Sequence, residues 1–272
     1  MPTVRITQAL SQEYDTLFAG CTIRSGKEGA VERIVDQLTE NRSRYEAASA
    51  ASGVPWHFIA AVHNMETGQR FSRHLHNGDP LTARTTHVPK GYPKTGEPPF
   101  SWENSAADAL ALKRLGRDTD WSLAGTLYQL ERYNGFGYRQ YHPQILSPYL
   151  WSFSNHYTSG KYVADGTWSD TAKSAQCGAA VLLRRLAERG EIAFANQPLP
   201  PAPEEAAKPL IATYVRRKPT NADALRHAVE LQEWLSTYPG IFLKPDGIAG
   251  RNTSDAYRAV TGHYLPGDPR SA

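Results

Sequence analysis

Ala30, Ile34 and Leu38 share one side of residues 27–51, opposite Glu, Arg and Asp, so the spacing predicts an amphipathic helix there. Pro55 suits a first helical position. Ile59, Val62, His63 and Glu66 then follow at i, i+3, i+4 and i+7, which predicts a helix that turns Glu66 toward the core and ends at Gly68. Residues 104–115, with Ala107, Leu110, Ala111 and Leu115, and residues 121–132, with Leu123, Leu127 and Leu130, carry two more apolar stripes. A further stripe spans 171–189, with Ala172, Ala175, Ala179, Leu182, Leu183 and Leu186. Residues 222–235 repeat the pattern with Leu225, Val229, Leu231 and Leu235, and a turn and a second helix follow. Residues 3–6 read as a short strand, followed by turn-like polar sequence up to 26.

Between these stripes lie segments without period. Residues 69–104 are rich in His, Thr, Pro and Gly, a long loop of the kind that is usually functional inside a compact domain. Its aromatics Phe71, Tyr92, Phe100 and Trp102 suit either stacking on a flat ligand face or anchoring the loop to the core. Residues 147–168 are broken by Ser and Gly and read as a second cleft wall. Residues 194–209, FANQPLPPAPEEAAKP, read as a semi-rigid linker. The expected fold class is mainly α: a larger α-rich domain over 1–193, the linker over 194–209, and a small helical bundle over 210–272.

Composition narrows the function. With 272 residues, 40% of them hydrophobic and 10% aromatic, the chain can build one sizeable core and a small one. A net charge of +3 with scattered Lys and Arg gives no nucleic-acid footprint, and no stretch approaches a membrane span, so neither partner is expected. The first residues lack the apolar run of a secretory leader, so a target outside the cell would be reached through a holin, lysis or a secretion machine. Cys21 and Cys177 read as buried thiols, with a single bridge as the alternative. A monomer without cofactor or metal is expected.

Two carboxylates carry the candidate chemistry. Glu66, in the last turn of an apolar helix, faces the negative end of the helix dipole and apolar neighbours, both of which favour the protonated form. A carboxylic acid of that kind can protonate a leaving oxygen. Asp79, thirteen residues on in the turn His76-Asn77-Gly78-Asp79-Pro80, is expected to stay ionised. An acid on a helix end with an ionised partner on a nearby loop is the arrangement that splits glycosidic bonds. Asp165 is the rival for the second carboxylate. A different chemistry is a zinc peptidase or amidase using His63, Glu66, His74, His76 and Asp79, although the HExxH pair is missing. A wall-binding protein without activity is a third reading.

The segment SGVPWHFIAAVHNMETG resembles the catalytic helix of the lysozyme-like superfamily, the goose-type lysozymes and lytic transglycosylases. The resemblance implies that Glu66 is the general acid and that Asp79 matches, in place and kind, an aspartate that helps position water. Tyr133-Asn134-Gly135-Phe136-Gly137 looks like the Tyr-Asn-Ala-Gly segment that lines the sugar cleft in that superfamily. The Gly-Leu-Met-Gln segment typical of transglycosylases is absent. Toward the end, Leu231-Gln232, Asp246-Gly247-Ile248-Ala249-Gly250, Thr253 and Ala256 resemble the small peptidoglycan-binding domain. Together these imply a glycosidase acting on the β-1,4 MurNAc–GlcNAc bond of peptidoglycan, or on a related amino-sugar polymer as a chitinase or chitosanase does. Catalytic residues would be Glu66 and Asp79, with Tyr133, Asn134, His63, His76, Asn155 and Asp165 on the substrate.

Overall fold

The computed structural model describes residues 4–164, 166–194, 211–236, 238, 241 and 243–271. The chain is mainly helical and divides into two compact units, Met1–Arg185 and Leu186–Ala272. The expected linker lies, from residue 195 on, outside the described residues, as does Asp165.

The first unit is built around α4 (Trp56–Thr67), a helix buried on almost every side: Phe58, Ile59, Ala60, Ala61, Val62 and His63 have no exposed surface worth counting. Helices apolar all round belong in cores. Pro55 stands one residue before the helix instead of inside it, and Gly68, at φ 58°, ends it in the left-handed conformation that a side chain would disfavour. Helix α3 (Arg42–Ser52) packs on α4 and on α5 (Trp102–Leu112). Tyr45, Trp102 and Phe71 meet there around His63, and Tyr45 and Trp102 are fully buried, each worth about 1.5–3 kcal/mol relative to exposure.

Several expected boundaries move. The helix expected over 27–51 is two, α2 (Glu28–Glu40) and α3, broken at Asn41, whose side-chain amide caps the Gln37 carbonyl. In α2 the buried line is Val31, Val35 and Leu38, so Ala30 and Ile34 are only half-buried. The polar stretch after residue 6 is a helix, α1 (Gln8–Ala19), capped by Thr7 and seated on α6 (Leu123–Asn134) by Leu10, Tyr14 and Phe18. No strand forms over the described residues 4–6. The short helices α7 (Gly137–Tyr141) and α8 (Pro148–Trp151) lead to an antiparallel pair, β1 (Lys161–Ala164) and β2 (Thr167–Ser169), in a stretch where no strand was expected. Helix α9 (Ala179–Glu188) starts eight residues later than expected. At Gly178 a Cβ would lie 2.2 Å from the Leu150 carbonyl oxygen, so backbone passes backbone there and no side chain fits.

In the second unit, α10 (Ala222–Leu235) and α11 (Arg251–Thr261) close a small core of Leu231, Leu235, Ala249, Ala256, Tyr257 and Leu265. Gln232 is its polar centre. The amide nitrogen donates to Asp246 Oδ1, the Ile248 carbonyl and Thr253 Oγ1, while Oε1 accepts the Gly247 N–H. Those residues shape the fold, which is what a buried, fully paired amide does.

Candidate functional site

Glu66 sits in the last turn of α4, where a helix face that is buried at Ile59, Val62 and His63 emerges into solvent. The side chain is accessible, yet protein crowds it. Tyr149, from α8, donates its hydroxyl to Glu66 Oε1 at 2.9 Å. Loss of hydration among these neighbours raises the carboxyl pKa above its ordinary value, and the Tyr149 bond and the Lys113 charge offset part of that rise. Tyr133 is close enough that burial, then the Glu66 charge, raise its phenol. Both phenols stay protonated, so they can only donate to the carboxylate or accept from the acid. Gln176 completes the corner: its amide donates to the Asn64 and Met65 carbonyls at 3.2 and 2.8 Å, tying off the helix end beside Glu66.

Asp79 stands in a different environment. It is 7% exposed and lies in a closed turn, with the His74 N–H bonded to its carbonyl and its own N–H to Asn77 Oδ1. Its Oδ2 accepts from Asn77 Nδ2, the Thr86 N–H and hydroxyl, and the His87 N–H. Its Oδ1 accepts from His87 Nδ1 at 2.6 Å. These bonds, the His87 ones first, hold its pKa below the usual aspartate value, so it is ionised. A carboxylate offers about four lone-pair positions, and here nearly all are taken. Among the described residues, Asp79 makes no bond to the Glu66 corner.

The remaining expected residues separate into two groups. Tyr133 and His76 line one cavity of about 310 Å³, with Lys113 and Pro89. His76 donates Nε2–H to Asp108 at 2.8 Å, leaves Nδ1 buried without a partner, and is held neutral chiefly by burial. Asn134 ends α6 and is exposed. His63, expected on substrate, is instead a core residue: fully buried, 3.1 Å from the Tyr45 hydroxyl, with a pKa lowered by burial to about 4. The spacing that links it to Glu66 is correct, but the shared face surfaces only at the last turn. Asn155 is exposed, and its amide bridges the Gly20 carbonyl and the Thr22 N–H and so ties down the end of α1. Of the loop aromatics, Trp102 is buried in the core, and Phe71 packs on Tyr45, His63 and Trp102.

The histidines do not converge on a metal. His74 is sealed between Ser105 Oγ and the Ala83 carbonyl, which occupies both ring nitrogens, and among the described residues no three His, Cys, Asp or Glu side chains form a ligand group. Cys21 and Cys177 are buried, unbridged thiols, and burial with the neighbouring Cys21 raises Cys177. No described helix is long and apolar enough to cross a membrane. Tyr149, Lys113 and Gln176 were not singled out by sequence, although Tyr149 falls within residues 147–168, read there as a second cleft wall. No family model matches the chain, and no curated protein or solved structure matches it.

Proposed function

We propose that the chain is a peptidoglycan-degrading glycosidase of lysozyme-like type, in which Glu66 protonates the bridging oxygen of the β-1,4 MurNAc–GlcNAc bond. One observation carries the reading: a solvent-accessible glutamate at the end of a buried helix, with its pKa raised by desolvation and its carboxyl oriented by Tyr149. A carboxyl open to substrate and still protonated above the ordinary glutamate range is what acid-assisted departure of a sugar oxygen requires. Tyr133 and His76 line a cavity beside it, while the sequence resemblance supplies the substrate class. The second unit serves as the wall-binding module, raising local substrate concentration without touching the chemistry.

A second reading concerns what completes the reaction. The nearly saturated oxygens of Asp79 leave little capacity to activate water, which favours attack by a hydroxyl of the sugar itself and an anhydro product. Mass spectrometry of fragments released from purified peptidoglycan by the wild type, by Glu66→Gln, and in the presence of a chelator tests both. Sugar fragments lost in the variant but kept with chelator support the glycosidase, and a product one water lighter supports transglycosylation. Peptide fragments lost with chelator would overturn the proposal in favour of a metallopeptidase.

A further inference from the structure

Beside Tyr133, three cations line one cavity, and among the described residues none of them forms a close ion pair. Lys113, Arg114 and Arg132 line a cavity of about 280 Å³ together with Gln129 and Tyr133. Other arginines of the first unit find acids: Arg44 pairs with Glu103 at 2.7 Å, and Arg139 with Glu13 and Glu131 at 2.8 Å. Among the described residues none of these three cations has such a partner; Arg132 gives one nitrogen to the Lys113 carbonyl, and the Lys113 ammonium lies 4.8 Å from the Tyr133 ring centre. Positive charge gathered in a concavity without a close ion pair is a field for an incoming anion.

The backbone gives an independent sign. Helix α5 ends with the Arg114 N–H bonded to the Ala111 carbonyl and the Leu115 N–H to the Leu110 carbonyl, a closure whose left-handed residue is usually glycine. Here that residue is Arg114, at φ 57°. A strained conformation kept for a cation, where glycine would be easier, marks the cation as the useful part. Two of the lining residues, Lys113 and Tyr133, lie near enough to Glu66 to interact with its charge.

We propose that this cavity is an anion subsite that receives a carboxylate substituent of the glycan strand whose glycosidic bond lies at Glu66. The proposal rests on the glycosidase reading and narrows its substrate to acidic amino-sugar polymers, as opposed to neutral ones such as chitin. Guanidinium groups suit it because their paired N–H donors match a carboxylate's two oxygens. The carboxylate comes from the lactyl ether or from the attached peptide.

Arg114→Gly removes the cation and keeps the left-handed turn, so folding is not at risk; its Tm is expected to equal or exceed that of the wild type. The experiment compares kcat/KM on peptide-bearing glycan fragments, on the same strands stripped to the free lactyl carboxylate, and on chitin oligomers. The ratio of acidic to neutral substrate should fall about tenfold in the variant, the loss of one charge-assisted contact. A fall on stripped strands assigns the subsite to the lactyl group, and a fall confined to peptide-bearing strands assigns it to the peptide. An unchanged ratio overturns the proposal. Calorimetry of the same oligomers on Glu66→Gln, with and without Arg114→Gly, keeps the two readings apart. If the wild type cuts nothing, the glycosidase falls, but weaker binding of acidic oligomers alone still upholds the subsite, and equal binding removes it.

Discussion

Glu66 and Asp79 are the same functional group placed thirteen residues apart, and their surroundings drive them in opposite directions. Glu66 receives one hydrogen bond from Tyr149 and loses much of its hydration, so its proton is held. Asp79 receives bonds from Asn77, Thr86 and His87 and is held ionised. The number of donors decides the difference: a carboxylate fed by several N–H groups is stabilised as the anion, while one short of donors in a crowded site favours the acid. The first is free to react, and the second is committed to holding its loop.

Exchanging each acid for its amide should break the symmetry most visibly. Glu66→Gln is expected to lower kcat by about 10²–10⁴, the usual contribution of a general acid, in assays of fragment release. The same variant should gain stability at neutral pH. A folded pKa above the unfolded one means that stability is full at low pH and declines as pH rises through the folded value, so the gain in Tm should vanish in acid.

The scaffold beneath that corner has its own acid limit, of the next size. His57 and His63 in α4 are lowered by burial from 6.5 to about 4, so the unfolded chain takes up protons first. Stability should be full above about 6.5 and fall as pH drops toward 4, by on the order of 2–3 kcal/mol per histidine. Denaturant midpoints across that range should fall less steeply for His63→Gln. Asp79→Asn comes third: the amide nitrogen cannot accept the N–H donors of the loop, so a Tm lower by a few degrees is expected, with a rate loss far smaller than that of Glu66→Gln. The smallest change is Tyr149→Phe. Removing a bond that favours the carboxylate should raise the Glu66 pKa and move the alkaline limb of the pH–rate profile upward.

Local chemistry made part of this legible. The α4 periodicity and Gly68 placed Glu66 in a last turn because repeat spacing and a left-handed cap act within a few residues. The turn at Asn77-Gly78-Asp79 was readable for the same reason, but not the capture of Asp79 by Thr86 and His87, which depends on how the loop folds back. Tyr149 reaches Glu66 across 83 positions and Gln176 reaches Met65 across 111, distances over which no spacing rule operates. Helix α1 escaped notice because it buries only Leu10, Tyr14 and Phe18 among polar residues. His63 misled because periodicity reports a shared face and not where that face leaves the core.

The most direct test of the contrast is a carbon-13 NMR titration of the two side-chain carboxyls in the intact protein. The Glu66 midpoint should lie above 4.5, and Asp79 should remain ionised well below 3.8. A Glu66 midpoint at or below 4.5 would remove the protonated acid on which the glycosidase reading depends.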